Sequence, residues 1–355
     1  MGIVAARISP PYRASALAAS PASSPSPLPD ADAIGEVVRR GLGSAGSITV
    51  RGPVRTGRYS NVFRVAVDGL ATELAVKALI DPESGGPDAA TALRQYDALR
   101  RVHDAMAGND GLRVPRPFFV APAEGVVAVE WIAGASMTET LLSRATSVDD
   151  AHALMRRAAA WLGCFARAGR VETVPLDVRN KLDAIASLDA ALGGFPPARQ
   201  AFAALRAHAS DAGNVALETS WLHGDFKADN LLVDRDNTVG IDLHIRHRNA
   251  IVHDAAAFLN HWDLTVCDPR AWRWRKWRKE LARSFLHTLD SSYLGDKRVA
   301  FAWIALHVML GNWNEFTRRR RNSAKHLYLQ FCFRSIVRRM TRELREAAQR
   351  KEAAA

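Results

Sequence analysis

Stretches of apolar and alternating apolar and polar residues recur between positions 48 and 131, and this pattern is typical of β-strands. Five such stretches predict five strands: 48–50, 61–67, 73–80, 118–120 and 126–131. Asp68-Gly69 and Glu124-Gly125 supply turn residues for two of the connections. The sequence therefore predicts a small antiparallel sheet in the first part of the chain.

Other segments place apolar residues at helical spacing. One such stripe predicts a helix over 89–106, and a shorter one predicts a helix over 33–41. Two segments dense in Ala, 151–168 and 198–209, predict core helices. The chain thus changes from strands to helices near residue 132.

Length and composition indicate how many globular parts the chain can form. The chain has 355 residues, 48% hydrophobic and 24% charged, which is enough for two globular lobes. Residues 1–33 are rich in Ala, Ser and Pro and predict a disordered leader. We expect this leader to be followed by an N-terminal lobe over 34–132 and a helical C-terminal lobe over 133–355.

The location of the protein is inferred from its cysteines and from its hydropathy. No run of eighteen apolar residues occurs, so no segment is expected to span a membrane. Cys164, Cys267 and Cys332 are scattered and lack metal-ligand spacing. A reducing cytoplasm is the expected location.

A polar motif, HGDFKADN at 223–230, carries the main chemical signal. Phosphoryl transfer from a nucleotide needs one carboxylate that orients the attacking hydroxyl, and a carboxylate and an amide oxygen that hold magnesium. The motif supplies Asp225 for the first role and Asn230 for the second, and Asp242 follows the next apolar run. We therefore predict a phosphotransferase in which Asn230 and Asp242 are the metal ligands.

The spacing of the two predicted ligands has a structural explanation. Residues 231–233 and 239–241 are apolar, and the turn-forming letters DRDN lie between them. A hairpin of two short buried strands would bring Asn230 and Asp242 to the same end, facing one cavity. The alternative is a loop with incidental polar residues.

This motif, together with Asp242, resembles the catalytic and metal-binding loops of the aminoglycoside and choline kinase-like phosphotransferases, which are relatives of protein kinases. The resemblance covers roughly residues 47–260. It implies an α+β, two-lobed protein kinase-like fold, with a small antiparallel β-sheet lobe that binds the nucleotide and a larger, mainly helical catalytic and substrate lobe. Lys227 lies two residues after Asp225, as in the protein kinase catalytic loop, and is expected to contact the transferred phosphoryl group.

The resemblance also assigns ATP-binding residues in the N-terminal lobe. Gly57 permits a close turn between the first two strands, and the backbone N–H groups of Ser60 and Asn61 are expected to meet phosphate oxygens. Lys77, inside an apolar strand, is expected to pair with the α- and β-phosphates. The alternatives are an ordinary hairpin and a solvated lysine on the outer face of a strand.

The chain departs from the family at the partner of that lysine. In the family a glutamate of the next helix holds the lysine, whereas this chain has Gln95 at that position. Asp97 is two residues further along, about 200° around a helix, and faces elsewhere. Either Gln95 makes a neutral hydrogen bond to Lys77, or the register of the helix shifts.

The strand over 126–131 resembles the one that leads into the hinge between kinase lobes. Backbone groups of Glu130, Trp131 and Ile132 are expected to hydrogen-bond the adenine edge. Because main-chain groups carry this recognition, the side chains there say little about it.

Positive charge is concentrated at the C-terminal end. Residues 251–355 contain 21 Lys and Arg against 10 Asp and Glu, which accounts for the whole net charge of +11. Such a field attracts anionic partners. One predicted helix begins at Ala271 with Trp274, Trp277, Leu281 and Phe285 on one face, and a second apolar stripe follows the basic run 318–321.

These two helices allow two interpretations. They could associate peripherally with an anionic membrane at its inner face, or their apolar stripes could pack on the helical lobe while the cations are solvated. Nucleic acid binding is not favoured, because no groove-reading motif accompanies the charge.

Two further segments next to the motif carry candidate residues. Asp254 opens an apolar helix and is expected to be its N-cap, with a role in bracing the catalytic loop as in the resembling family. His244 and the basic segment 246–248 either line the acceptor site or form a solvated loop.

Two functional hypotheses follow from these residues. The first is an ATP- and Mg²⁺-dependent kinase that acts on a small-molecule hydroxyl, with an uncharged or anionic acceptor such as a sugar or glycolipid precursor, because a cationic aminoglycoside would fit poorly beside so many arginines. The second is a nucleotide-binding pseudokinase or scaffold that docks on a membrane or protein partner; Gln95 and the sparse glycine loop support it. Protein kinase activity lacks support, since no Ala-Pro-Glu follows Asp242.

Overall fold

The computed structural model describes residues 30–43, 46–57, 59–245, 248–318 and 323–354. These residues form two compact units. The N-terminal unit contains the described residues up to Gly134 together with Asp234–Leu243, and the helical unit contains Ala135–Val233 and the described residues from His244 onward.

The strands, in chain order, are β1 Ile48–Thr56, β2 Ser60–Val67, β3 Leu74–Leu79, β4 Leu112–Arg113, β5 Pro117–Ala121, β6 Val126–Glu130, β7 Ala135–Ser136, β8 Glu172–Pro175, β9 Ala216–Trp221, β10 Leu231–Val233, β11 Thr238–Gly240 and β12 Arg248–Ala250. The α-helices are α1 Ala31–Leu42, α2 Ala89–Ala105, α3 Met137–Leu142, α4 Val148–Ala168, α5 Arg179–Leu192, α6 Pro196–Ala207, α7 Ala209–Gly213, α8 Val252–Thr265, α9 Arg278–Asp290, α10 Arg298–Arg318 and α11 Ala324–Ala354.

The N-terminal unit contains the predicted antiparallel sheet, with strand order β1-β2-β3-β6-β5. Side chains alternate across this sheet because successive residues of a strand point to opposite faces. Val76 and Ala78 of β3 are buried in a core cluster that also contains Ile34 and Val38 of α1. Lys77 lies between them in sequence and therefore points to the other face.

Helix α1 begins two residues before the predicted start. Asp30 is its N-cap and accepts a hydrogen bond from the N–H of Ala33 at 2.8 Å. The helix ends at Gly43, whose φ of +61° is the left-handed conformation of many helix ends. Its first turn thus falls within the predicted leader, and residues 1–29 lie outside the described residues.

The helical unit buries the Ala-rich helices, as predicted. Helix α4 begins with a capping box formed by Ser147 and Asp150, and its Trp161 is fully buried. Three further strands form a small antiparallel sheet in the order β12-β9-β8. The last strand of this sheet along the chain leads directly into α8.

The basic C-terminal segment differs from its prediction. The predicted continuous helix from Ala271 is wrong: Pro269–Trp274 forms a short 3-10 helix, with Pro269 in its first turn, and α9 begins only at Arg278. Trp274, Leu281 and Phe285 are buried. The apolar stripe of α11 is also mostly buried: Phe333, Ile336, Met340 and Leu344. Both stripes therefore pack inside the helical unit, and residues 319–321 of the basic run lie outside the described residues.

Helices in the described part of the chain are too short or too polar to cross a membrane.

Candidate active site

The motif at 223–230 forms a loop between β9 and β10 in the helical unit, and we call it the His-Gly-Asp loop. Its last residues form a short 3-10 helix, Ala228–Asn230. The carboxylate of Asp254 accepts hydrogen bonds from the backbone N–H groups of His223 at 2.6 Å and Gly224 at 3.2 Å. Asp254 therefore holds the start of the loop.

Asp254 performs this bracing from inside α8 and not from its end. The helix begins at Val252, so Asp254 lies in the first turn and the predicted N-cap role is wrong. Burial raises the pKa of Asp254 to about 7; the two N–H donors work against this shift, and the negative charge of Asp225 adds to it. The loop thus depends on a carboxyl group that is costly to ionise in its surroundings.

Gly224 has a backbone conformation that explains the glycine of the motif. Its φ is +81°, and a Cβ atom there would lie 3.0 Å from the carbonyl oxygen of His244. The N–H of His244 donates to the carbonyl of His223 at 2.8 Å, so the two segments run side by side. A side chain at position 224 would strain the backbone and push this neighbour away.

Asp225, Lys227 and Asn230 form one polar cluster. The Asp225 Oδ2 atom accepts hydrogen bonds from Lys227 Nζ at 2.7 Å and from Asn230 Nδ2 at 3.0 Å. The Asn230 amide also donates to the backbone carbonyl of Asp225 at 2.8 Å. The side chains of Asp225 and Lys227 retain 16% and 11% exposure, so the carboxylate is held in place yet open to a ligand.

The oxygen of the Asn230 amide is available in this cluster. Asn230 is fully buried, and its Oδ1 atom has no hydrogen-bond partner among the described residues. A buried amide oxygen without a partner is costly unless a ligand satisfies it. The hydrogen bonds of the amide nitrogen orient the side chain, and the oxygen remains available as a ligand for a cation.

Aromatic stacking fixes the floor of the loop. Phe226 is buried and stacks on Trp161 of α4 at 5.6 Å and on Phe258 of α8 at 5.2 Å between ring centroids. The ring of His223 packs edge-on against Trp161 at 5.8 Å. These packed rings give the polar residues above them a rigid support. Trp161 is thus a packing residue.

Asp229 is a loop residue that sequence reasoning missed. His261 of α8 pairs with it, with 3.4 Å between His261 Nε2 and Asp229 Oδ2. Burial alone would raise the pKa of Asp229, but the hydrogen bond and charge of His261, together with a hydrogen bond from Thr138 and the charge of Lys227, bring the pKa down to about 2. The contact between His261 and Asp229 is thus, after that of Asp254, a second contact by which α8 holds the loop. The sequence separation of 32 residues gave no local signal for it.

The N-terminal unit brings Lys77 and Asp242 together. Lys77 Nζ donates to Asp242 Oδ1 at 2.5 Å, and the two side chains are 19% and 13% exposed. Gln95 lies half-buried on α2, and no hydrogen bond joins it to Lys77 within the described residues. Asp97 is exposed, as its helical position predicts. The lysine is therefore held by the predicted metal ligand and not by the next helix.

Asp242 has a backbone conformation unusual for a residue with a side chain. It follows β11, which pairs in parallel with β4, and its φ is +62°. The left-handed region costs a non-glycine residue roughly 1–2 kcal/mol. The turn before β11 is secured by Asp234, whose side chain accepts N–H bonds from Asp236 and Asn237. This framework holds the strained aspartate beside Lys77.

The predicted phosphate loop is a hairpin between β1 and β2. The N–H of Gly57 donates to the carbonyl of Ser60 at 2.8 Å, and Arg58 lies outside the described residues. Ser60 and Asn61 are both buried at the start of β2, paired with Leu79 and Ala78 of β3. The Oδ1 atom of Asn61 is buried without a hydrogen-bond partner among the described residues, and the sequence gave no sign of this.

The predicted hinge residues are only partly available to a ligand. The N–H of Glu130 donates to the carbonyl of Arg116, and the N–H of Trp131 donates to the carbonyl of Glu73, both at 2.8 Å. The Glu130 carboxylate binds the guanidinium of Arg113 at 2.6 Å. The N–H of Ile132 has no such bond within the described residues. Of these three backbone N–H groups, the sheet and its neighbours leave that of Ile132 available.

The basic segment after the His-Gly-Asp loop is partly structural. Arg248 donates from its guanidinium to the backbone carbonyls of Gly169 and Arg170, which ties β12 to the end of α4. Residues 246 and 247 lie outside the described residues. The expected acceptor-lining role of this segment stays a prediction.

The chain has the fold of the kinase-like phosphotransferases, and the predicted α+β fold with a small antiparallel sheet and a mostly helical second part is confirmed. Residues 53–286, more than half of the chain, match the phosphotransferase enzyme family (APH). The chain belongs to this family, and the resemblance seen in its sequence is confirmed.

Solved structures of kinases share the fold. A glucosamine kinase in complex with glucosamine, ADP and inorganic phosphate aligns with a TM-score of 0.59 and 16% identity, over 94% of this chain and 89% of that chain. A choline/ethanolamine kinase family protein from Mesorhizobium loti gives 0.54 and 16%, over 88% and 99%. An amicoumacin kinase in complex with AMP-PNP and Ca²⁺ gives 0.53 and 12%, over 82% and 88%. No curated protein sequence matches the chain.

Proposed function

We propose that the protein is a kinase that transfers the terminal phosphate of ATP, with Mg²⁺, to a hydroxyl group of a small molecule. The observation that carries this proposal is the Asp225 carboxylate, held by Lys227 and Asn230 in a loop that Asp254 and the aromatic rings fix. A scaffold without chemistry has no physical need for such a constellation.

Asp225 is the proposed catalytic base. Its carboxylate orients the acceptor hydroxyl and takes its proton, while the hydroxyl oxygen bonds to the terminal phosphorus and the bond from that phosphorus to the ADP oxygen breaks. Lys227 lies 2.7 Å from this carboxylate. Its ammonium group is placed to stabilise the charge that develops on the transferred group.

Two side chains supply oxygen atoms of the kind that a magnesium ion prefers. Mg²⁺ prefers hard oxygen ligands, and this chain offers the partnerless Oδ1 of Asn230 and the carboxylate of Asp242. When bound, the ion would neutralise charge on the phosphates. We assign Asn230 and Asp242 as its protein ligands.

Lys77 is the proposed ligand of the α- and β-phosphates. It is partly buried and paired with Asp242, so its ammonium is already oriented by a carboxylate. The hairpin residues Gly57, Ser60 and Asn61 are proposed to cover the phosphates. Of the hinge residues, Ile132 offers the N–H that the sheet does not use, and the adenine is proposed to bind there beside Glu130 and Trp131.

The acceptor is proposed to be uncharged or anionic, such as a sugar or glycolipid precursor. Lys181 of α5 lies 2.8 Å from His253 Nε2, one residue before Asp254. Burial lowers the pKa of Lys181 to about 8, with Asp177 partly offsetting it. Burial, with a smaller contribution from the charge of Lys181, lowers the pKa of His307 of α10 to about 4. We propose that the acceptor binds on the side of the loop that faces Lys181, where a cationic acceptor would add to the cost of this buried positive group and an anionic one would reduce it.

The test is transfer itself. The protein is incubated with ATP and Mg²⁺ and with a panel of sugars, phosphosugars, choline and aminoglycosides, and ADP formation is measured for each. Asp225→Asn should reduce kcat by about 10²–10⁴-fold, the usual contribution of a positioned base. Asp236→Asn, in the exposed turn before β11, is the matched control. Acceptor-dependent ADP formation that survives Asp225→Asn would reject the mechanism, and preferred turnover of aminoglycosides would reject the acceptor class.

A second candidate function is docking on an anionic lipid surface. Trp272, Leu327 and Phe331 are exposed by 70%, 71% and 67%. The Tyr328 hydroxyl donates to the carbonyl of Cys267 at 2.5 Å and joins the two segments that carry them. Lysines and arginines flank these apolar residues, which is the composition of interfacial surfaces. Co-sedimentation with phosphatidylserine vesicles, lost in Trp272→Ala/Phe331→Ala, tests this; equal binding by the variant would reject it.

A further inference from the structure

A cavity of about 420 Å³ lies among the last helices of the helical unit. Helices α8, α9, α10 and α11 line it, together with the short 3-10 helix Ser291–Leu294. Among the described residues, none of those to which we assign a part in phosphoryl transfer lines this cavity. Its volume falls within the range of about 300–1,000 Å³ that small-molecule sites occupy.

The charges around the cavity are unequal. Its cationic side chains are Arg278, Lys279, Arg283, Arg298 and Arg350. Its acidic side chains are Asp263, Glu343 and Glu346. The positive groups outnumber the negative ones, so the cavity has a positive field before any pairing is considered.

The acidic groups are already occupied by arginines. Asp263 binds Arg278 at 2.9 Å and Arg339 at 2.5 Å through its two oxygens. Glu343 lies near the same two arginines, at 3.8 and 3.4 Å. Glu346 pairs with Arg342 at 3.9 Å. This network neutralises Arg278 and leaves no acid over for the other cations of the cavity.

Four cations of the cavity therefore lack a counter-charge. Within the described part of the chain, no ion pair is formed by Lys279, Arg283, Arg298 or Arg350. Arg298 is half-buried at the start of α10, whereas Lys279 and Arg283 of α9 and Arg350 of α11 are exposed, so the positive groups come from three helices. An anion that entered the cavity would meet donors from several helices.

A buried donor on α8 gives an independent sign of a ligand. Trp262 lines the cavity, and the residue is 2% exposed. Its indole Nε1 has no hydrogen-bond acceptor among the described residues. A buried tryptophan N–H normally finds an acceptor, and a buried donor without one destabilises the folded protein. An acceptor oxygen on a bound molecule would satisfy it.

The remaining lining is apolar. Leu286, Tyr293 and Met340 are buried residues of the cavity wall. Such a wall gives an apolar or aromatic body a place to bury its surface, while the cations hold a charged group. Inorganic phosphate alone would use only one of these two features.

We propose that this cavity is a second ligand site, which binds a small organic anion with a phosphate or carboxylate group on an apolar or aromatic body. The proposal does not depend on the acceptor or on the phosphoryl transfer step. It predicts binding that persists when the nucleotide site is filled.

Phenyl phosphate is the probe for this site, because it combines an aromatic ring with a phosphate. Isothermal titration of the full chain, with and without AMP-PNP and Mg²⁺, should give one saturable site in both conditions. Inorganic phosphate and benzyl alcohol should each bind at least about tenfold more weakly, since each lacks one half of the recognised chemistry.

Variants connect this binding to the cavity. Arg298→Gln/Arg350→Gln should weaken phenyl phosphate at least about tenfold, through loss of charge-assisted hydrogen bonds. Trp262→Phe should weaken it several-fold while keeping the ring. Arg345→Gln is the matched control, because Arg345 is an exposed arginine of α11 that does not line the cavity. Thermal unfolding of each variant checks that the helical unit remains folded.

Three outcomes would overturn the proposal. The first is no saturable binding at about 10 mM probe, where even a weak site would fill. The second is equal affinity in Arg298→Gln/Arg350→Gln and Arg345→Gln. The third is that these arginines govern only binding to phosphatidylserine vesicles while phenyl phosphate does not bind, because the surface would then recognise lipid and not a small anion.

Discussion

Lys77 donates to Asp242 at 2.5 Å, in a chain whose second helix offers Gln95 where the resembling family has a glutamate. The lysine is thus oriented by a carboxylate that we also assign to magnesium. This arrangement explains how the chain keeps an ordered lysine without the usual acid, and it makes Lys77 the first residue to test.

Lys77→Met should lower kcat/KM for ATP by about 10–10²-fold, through loss of charged hydrogen bonds to the phosphates. Most of the effect should appear in the KM for ATP, since the proposed contact is to phosphates that remain on ADP. Steady-state kinetics with varied ATP measure it. Lys276→Met, an exposed lysine, serves as the control. A Lys77→Met enzyme with unchanged KM for ATP would contradict the assignment.

Asn230 allows the metal role and the orienting role to be separated. Asn230→Ala removes both the Oδ1 donor and the bond to Asp225, and should raise the Mg²⁺ concentration for half-maximal activity at least about tenfold. Asn230→Asp keeps an oxygen donor but loses the N–H groups, so Mg²⁺ affinity should be retained while kcat falls. Magnesium titrations measure both effects.

The control for this pair is Asn214→Ala, an exposed asparagine at the end of α7. Equal loss of Mg²⁺ affinity in Asn230→Ala and Asn230→Asp would show that the nitrogen, and not the oxygen, is the important atom.

The raised pKa of Asp254 should make the stability of the folded protein depend on pH. Its pKa in the folded protein is about 7, above the ordinary aspartate value of 3.8, so the folded state favours the protonated form. The corresponding stability is fully present below about pH 4 and is lost as the pH rises through about 7. The unfolding free energy of the wild type should therefore fall between pH 4 and pH 7 relative to that of Asp254→Asn. Urea unfolding across this range measures the difference.

Asp254→Asn should also affect the loop. An asparagine can accept only one of the two backbone N–H bonds without placing a donor against a donor. We expect kcat to fall while the KM for ATP stays within about twofold, because Asp254 positions the His-Gly-Asp loop and touches no substrate in our proposal. A constant difference in unfolding free energy from pH 4 to pH 7 would contradict the raised pKa.

Two glycines should respond in opposite ways to alanine. Gly224→Ala adds a side chain at a φ of +81° and within 3.0 Å of a carbonyl oxygen, and should destabilise the protein by about 1–3 kcal/mol. Gly311→Ala lies within α10, where a Cβ meets no atom within 4 Å, and should stabilise it by about 0.5–1 kcal/mol. Thermal unfolding compares the two, and a stabilised Gly224→Ala would contradict the strained conformation.

The sheet and the Ala-rich helices could be predicted because local patterns determine them. Alternation along β2 and β3 identifies their buried face, and it also places Lys77 on the opposite face. The 3-10 helix at Pro269–Trp274 could not be predicted, because its residues also fit a continuous α-helical stripe. Periodicity over a few residues does not distinguish these two helices.

The site was predicted in its residue types and only partly in its contacts. Asp225, Lys227 and Asn230 are close in sequence, and the structure joins them directly. The pairing of Lys77 with Asp242 spans 165 residues, and no local pattern reports such a contact. The sequence correctly assigned Asp254 to bracing the loop but wrongly made it the N-cap of α8. The two roles are hard to separate in a sequence, because in both the carboxylate accepts backbone N–H bonds. The convergence of Asn230 and Asp242 on one cavity stays a prediction.

The left-handed backbone of Asp242 means that the substitution that best relieves backbone strain at this position also removes a functional side chain. A glycine there would relax the main chain at once, and it would also remove the carboxylate that Lys77 binds. Asp242→Gly should therefore relax the main chain but leave the partly buried Lys77 without its carboxylate, and in our proposal it also removes a magnesium ligand. A family member with glycine at the corresponding position would, on our proposal, lack this magnesium ligand.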